Sequence, residues 1–453
     1  MTTTLRPQRA HPFDLRRGEP GSRSRELLLA ALVTAAVVSA LSLLFNHAID
    51  YDPDGWIVYA RETFGPLAVN TDGFPAWKPL PILLIGPFTL ITRGNADVYY
   101  WLFIARACAV LTVFGVAALA HRFAGRIAAL LAAVFVVAAP YWFEDGTIGR
   151  DSAVSGALMT GAFLAHFHGR RNWAVVALAA MAMVRPEATP LLILYGLWMW
   201  RTRQGSLWFP ALALALVTFM WLVPTIFQTG LSPFSISQNS AGAGTAGASS
   251  FPPLALVIYA AKEAHEVAAL LVTIAIIASL YGLMRRRRGD GPDWLAGLWG
   301  RTSDELLVLG TAILWILIVA VETAKGFSGN PRYTAAAEAL FFVVGAVVAV
   351  RAVERSRAAQ ITVAAVCAAA TVALGVHPFD SARTLIQQRD RQAYNITKQL
   401  AMFKCPGYYV ANQYNNAYLA ELSGQPLQDS INWHLPKAYL KDGAYRFVYC
   451  KRS

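Results

Sequence analysis

Apolar runs too long for a soluble helix constrain this chain more than any other feature. Three of them span 27–45, 207–227 and 267–284. About 18 mostly apolar residues in a row suffice to cross the ~30 Å hydrocarbon layer. Only 15% of the 453 residues are charged and 56% are hydrophobic, whereas soluble domains carry about a quarter charged residues. A soluble class is excluded. The first run also exceeds the roughly 7–15 apolar residues of a cleaved signal peptide, so it is read as the first span.

The net charge of +12 invites a nucleic-acid partner, and the placement of the basic residues argues against one. Arg6 to Arg25, Arg122 and Arg126, Arg170 and Arg171, Arg201 and Arg203, Arg285 to Arg301, and Arg351 to Arg357 fall in alternate loops. They number twenty, against seven in the intervening loops. This is the positive-inside pattern of a multi-pass protein of the inner (plasma) membrane, with a cytoplasmic N-terminus and an extracytoplasmic C-terminus.

On that basis the chain divides into a basic cytoplasmic tail at 1–26, a membrane region at 27–375 with outer loops at 48–97 and 143–151, and a small extracytoplasmic α/β domain at 376–453. Spans are expected at 27–47, 98–120, 127–142, 152–168, 206–227, 264–284, 304–322, 333–351 and 359–375. A tight pair of short helices fills 172–200, broken at Arg185, Pro186 and Glu187. The fold class is therefore an all-α polytopic membrane protein of about eleven transmembrane helices with an α/β appendage. Residues 82–91 are too short and too rich in proline and glycine to span and are read as half-buried. The glycine, alanine and serine of 235–250 read as a linker or as a mobile lid.

In the tail, helices are expected at 381–403 and 416–422 and strands at 408–410 and 445–449. Cys405 and Cys450 flank the two strands, and on the outer side of a membrane they are expected to form a disulfide worth ~2–4 kcal/mol. Cys108 and Cys367 lie within spans and read as plain buried residues. The sequon at Asn395-Ile-Thr397 is read as chance.

Polar residues gather at the outer loops, where charges beside apolar helices read as a site by default. They are Asp50, Asp52 and Asp54, then Lys78, then Glu144, Asp145, Arg150 and Asp151, then Glu322, Lys325 and Arg332. Asp52 and Asp54 flank Pro53 before a helix expected at 55–62. Asp54 is either its N-cap or part of a catalytic or metal-binding doublet, since carboxylates accept protons and hold magnesium, manganese or calcium. Lys78 is either a snorkelling interfacial lysine or a phosphate contact. Arg185, Arg332 and Arg150 are candidate phosphate ligands, because a guanidinium fork matches phosphate geometry. Arg185 has an alternative partner in Glu187. Glu144, Asp145, Asp151 and Glu187 are expected to support the site.

The acidic first outer loop, the second acidic loop after span three, the Arg-Pro-Glu break and the soluble tail together resemble the GT-C class of membrane glycosyltransferases. The likeness is to the users of polyprenyl-phosphate sugars related to protein mannosyltransferases. Asp52-Pro-Asp54-Gly-Trp-Ile-Val-Tyr59-Ala-Arg61-Glu62 is similar to that class's acidic pair followed by tyrosine and Arg-Glu, although the proline between the acids leaves the base open between Asp52 and Asp54. The resemblance implies transfer of a sugar from a lipid phosphate to a hydroxyl of a glycan, lipid or protein acceptor on the outer leaflet. It also implies an inverting displacement, with mannose or arabinose as candidate sugars. A transporter or flippase and a non-catalytic scaffold are the other classes the layout allows.

Overall fold

The computed structural model describes residues 22–45, 48–64, 77–91, 96–229, 245–264, 266–288, 295, 297–300, 302–353 and 356–374, with short helical fragments at 383–384 and 387–388. No strand occurs among the described residues. The expected strands of the tail, with Cys405 and Cys450, lie outside them, as does most of the expected linker at 235–250.

The helices are α1 (Ser22–Ser42), α2 (Tyr51–Phe64), α3 (Pro79–Thr89), α4 (Ala96–Val137), α5 (Pro140–Thr147), α6 (Ser152–Phe167), α7 (Arg171–Ala182), α8 (Thr189–Arg201), α9 (Trp208–Thr229), α10 (Pro252–Glu263), α11 (Glu266–Arg288), α12 (Ser303–Ala324) and α13 (Ala335–Arg351), followed by α14 (Arg357–Leu374). Short 3-10 turns sit at Pro186–Ala188, Ala246–Ala248 and Pro331–Thr334. Among the described residues, six segments are long and apolar enough to cross a membrane: Arg25–Ser42, Ala96–Val137, Glu266–Arg285, Ser303–Ala324, Pro331–Arg351 and Arg357–Leu374. Over the described residues the chain is an all-α membrane protein.

α13 is the axis of the bundle. It packs against α4, α6, α11 and α12, and nearly every residue from Ala335 to Arg351 is buried. A helix apolar on all sides belongs in an interior, and its alanines and Gly345 let neighbouring backbones approach closely. α1 and α14 are the opposite case. They leave Leu27, Leu28, Leu29 and Val366 about 60% exposed, as a lipid-facing surface requires.

The two ends of α13 carry different chemistry. Its seventeen residues place Arg351 roughly 25 Å from the turn that holds Arg332, at 1.5 Å per residue. At the Arg351 end, the guanidinium donates to both Glu305 carboxylate oxygens (2.8 and 3.1 Å) and to the carbonyl of Phe123 (3.0 Å). Arg122 pairs with Asp304 at 2.9 Å beside it.

The expected turn between Arg122 and Arg126 is very tight. α4 is two helices joined at Ala124 and Gly125, and Gly125 has φ 80° and ψ −165°, a region essentially closed to residues with a Cβ. No atom lies within 4 Å of where that Cβ would stand, so a substitution meets backbone strain alone. Gly125→Ala is expected to cost about 1–3 kcal/mol, read as a lower thermal midpoint in detergent. An unchanged midpoint would show that the turn relaxes freely.

Two other expectations are refined. The expected short pair at 172–200 is present as α7 and α8, broken by the 3-10 turn at Pro186. Residues 82–91 fall mostly in α3, whose eleven residues extend only ~16 Å at the helical rise, and which buries Ile82, Ile85 and Gly86 while exposing Leu83 and Leu84. The end of the 235–250 segment is docked: Ala246 is fully buried, and Gly247 N–H donates to the Ser328 carbonyl at 2.9 Å.

Candidate functional site

Two X-Pro steps build the centre of the site. A residue before proline is driven out of the helical region, because the proline ring crowds its backbone, while proline itself fits the first helical position. Lys78 before Pro79 (φ −136°, ψ 108°) and Arg185 before Pro186 (φ −134°, ψ 108°) are both extended and both stand at a helix start. The Leu80 N–H donates to the Met183 carbonyl at 3.2 Å, which sets the two breaks side by side. Their side chains meet on one carboxylate. Arg185 closes its fork on Asp151 (2.7 and 2.8 Å), and Lys78 pairs with the same group. Asp151 is fully buried, Arg185 is 3% exposed and Lys78 is 7% exposed.

The acidic doublet is split by helix geometry. α2 begins at Tyr51, so Pro53 sits in the first turn, where its missing N–H has no intrahelical partner. The Asp54 N–H already donates to the Asp50 carbonyl at 3.2 Å, which makes Asp54 a first-turn residue and not the N-cap. Side chains two apart on a helix do not share a face. Asp52 therefore reaches Arg332, with which it forms an ion pair, while Asp54 turns inward and is 1% exposed. Beneath them Trp56, Tyr59, Trp77, Ile82, Trp101 and Val184 form a second, smaller core, with Trp56 edge-on to Trp101 at 5.5 Å.

Arg150, a candidate phosphate ligand by residue type, is engaged by acids. Trp101 Nε1 holds the Gly149 carbonyl at 2.7 Å, and Gly149 (φ 79°) turns the chain so that Arg150 faces three acids. It donates to Asp50 (2.6 Å), Asp145 (2.8 Å) and Glu144 (3.2 Å). Burial alone would lower its pKa, but Asp145 and Asp50 hold it well above the usual range. A guanidinium so engaged clamps α5 to the entry of α2. Glu144 is pushed up by burial, partly offset by Arg150. Asp145 also accepts from Ser152.

Arg332 follows the cap formed by Asn330, whose side-chain oxygen accepts from the Arg332 N–H at 3.2 Å. Besides Asp52, its fork lies 4.0 Å from Asp50, and its Nε is buried with no hydrogen-bond partner among the described residues. Glu187 is buried in the broken turn, and one of its carboxylate oxygens likewise lacks a partner among those residues.

The structure thus brings Asp52, Lys78, Arg150, Asp151, Arg185 and Arg332 into one network with Asp50, Glu144 and Asp145. No group of three or more His, Cys, Asp or Glu side chains among the described residues is arranged to hold a metal ion. Asp50 and Asp52 are each met by an arginine, and Asp54 faces inward, so the expected divalent-cation donor set is not assembled. Sequence reasoning passed over Tyr333, whose ring carries Arg185 at 4.2 Å and Arg332 at 5.6 Å. The only cue was its place directly after Arg332.

No protein-family profile and no curated protein sequence matches the chain. Among solved structures, the chain is similar to ArnT from Cupriavidus metallidurans in the apo state, with a TM-score of 0.56 and 15% identity over 89% of this chain and 86% of that one. It is likewise similar to the same protein bound to undecaprenyl phosphate, with a TM-score of 0.53 and 15% identity over 89% and 85%. The fold of this chain is therefore similar to that of ArnT over most of both chains.

Proposed function

We propose that the chain transfers a sugar from a polyprenyl-phosphate donor to an acceptor hydroxyl at the extracytoplasmic face, by inversion with an aspartate as general base. One observation carries this reading: two buried cations, Lys78 and Arg185, share a single carboxylate, Asp151. Burial would raise the Asp151 pKa, but Arg185, then Lys78 and Arg332, hold it far below the usual carboxylate range. At Asp151 Lys78 is the second cation on one carboxylate. Burial first, and Arg185 next, lower its pKa to about 8. Uncompensated buried charge is costly, so such a site is pre-organised for an anion. The undecaprenyl phosphate bound by ArnT supports a lipid phosphate as that anion.

In this reading eleven passes, namely α1, the two arms of α4, α6 to α9 and α11 to α14, surround the polyprenyl chain. The Arg351 end faces the cytoplasm by the positive-inside pattern. Lys78 and Arg185 stabilise the phosphate as the glycosidic bond breaks and its negative charge grows. The acceptor oxygen attacks the anomeric carbon from the opposite side. Asp52 takes its proton, because it is the member of the doublet with an accessible side chain (18% exposed).

The test is to incubate the full chain in lipid nanodiscs with a radiolabelled polyprenyl-phosphate hexose or pentose and an envelope extract. Label covalently joined to a new acceptor is expected. Movement of the labelled lipid across sealed vesicles with no covalent product would overturn the assignment in favour of transport.

A pH dependence follows. Lys78 is charged below about pH 8 and neutral above it, so affinity for a lipid phosphate falls as the pH rises through about 8. Lys78→Arg, which stays charged, should move that fall to higher pH. Titration of undecaprenyl phosphate binding between pH 6.5 and 9.5 (roughly 1.5 units either side of this value) measures both, and coincident profiles would remove Lys78 from the phosphate site.

A further inference from the structure

We infer that Tyr333 is a positioning residue that sets the two site arginines, Arg185 and Arg332, toward one phosphate. The inference rests on the donor reading above. The arginines come from separate elements, the turn at Pro186–Ala188 and the turn at Pro331–Thr334. Each has its own carboxylate, Asp151 for Arg185 and Asp52 for Arg332. No hydrogen bond in those pairs links one guanidinium to the other, and two like charges in a poorly screened interior repel. Tyr333 supplies the missing link. The Arg185 guanidinium carbon lies 4.2 Å from its ring centroid and that of Arg332 5.6 Å, both within the ~6 Å over which a ring attracts a cation.

Tyr333 is held at both its backbone and its ring. Trp315 Nε1 donates to the Tyr333 carbonyl at 2.7 Å, the Tyr333 N–H donates to the Asn330 carbonyl at 2.9 Å, and the Ser328 hydroxyl donates to the Tyr333 hydroxyl at 3.2 Å. Phe327 stacks on the ring at 4.8 Å between centroids. Such a platform has few ways to move. It carries the partners of both Asp52, the proposed base, and Asp151, the anchor of the phosphate site. The Arg332 Nε, buried with no partner among the described residues, is the donor this arrangement leaves to an incoming oxygen.

The experiment separates the ring's charge distribution from its volume. Phenylalanine and its mono-, di- and trifluorinated analogues are incorporated at position 333 of the full chain, and undecaprenyl phosphate affinity is measured in nanodiscs together with the thermal midpoint. Fluorine weakens the negative face of the ring while barely changing its size. Tyr333→Phe, which loses the Ser328 contact, is the reference, and from it affinity is expected to fall stepwise by roughly tenfold across the series at a constant thermal midpoint. Equal affinity along the series would overturn the role of Tyr333 and leave the donor reading intact. Failure of the unsubstituted chain to bind undecaprenyl phosphate would instead overturn the donor reading, and this inference with it.

Discussion

Asp52→Asn lowers sugar transfer by about 10²–10⁴-fold, the range a positioned general base contributes, with little effect on donor affinity. Asparagine keeps the size of the side chain and an oxygen for Arg332 but cannot accept the proton of the attacking hydroxyl. The loss should therefore appear in kcat and not in the affinity for undecaprenyl phosphate. Asp54→Asn provides the contrast. Asp54 is 1% exposed in the first turn of α2, so its replacement is expected to act on stability before it acts on the proton. Turnover by both variants, with the thermal midpoint measured beside it, decides between the acids. A folded Asp52→Asn with full activity, next to a folded and inactive Asp54→Asn, would move the base to Asp54.

The second large effect is structural. Asp151 is the carboxylate on which Lys78 and Arg185 converge, and all three are buried. Asp151→Asn removes the anion that pairs directly with both cations in a poorly solvated site, a class of change that costs about 3–5 kcal/mol. The thermal midpoint should fall clearly, and an added anion should restore part of it, because a ligand that binds only the folded state stabilises it by mass action. Undecaprenyl phosphate is expected to recover more than free inorganic phosphate. An unchanged midpoint in Asp151→Asn would mean that Lys78 and Arg185 are compensated elsewhere, and the shared-carboxylate account of the phosphate site would fail.

Much of the fold was legible in the chain because the forces that set it are local. The apolar runs fix which segments leave water, and the alternation of Arg-rich loops orders their ends. The Arg-Pro-Glu sequence at 185–187 marked the break between α7 and α8, since proline constrains itself and the residue before it whatever surrounds them. The same rule applied at Lys78-Pro79 explains why that lysine leaves the helix path. α10 was missed because its twelve residues lie beside a glycine-rich stretch and its apolar content is too short to read as a span.

Roles within the site were harder to read because residue type does not reveal a partner. Arg150 carries the same guanidinium as Arg185, yet three acids surround one and a single shared carboxylate the other. The doublet of Asp52 and Asp54 looked like one unit until the start of α2 at Tyr51 turned its members to different faces.

The sequence by itself determined a membrane-embedded helical chain, the X-Pro breaks, and the outer loops as the place where charge gathers, because transfer out of water and backbone sterics act within a few residues. Only the tertiary structure decided that Asp52 meets Arg332 across 280 positions, that Lys78 meets Asp151 across 73, and that Tyr333 lies between two arginines. Those partnerships depend on how α2, α3, α6, α12 and α13 pack, and the choice of partner for a buried charge is made by the space around it.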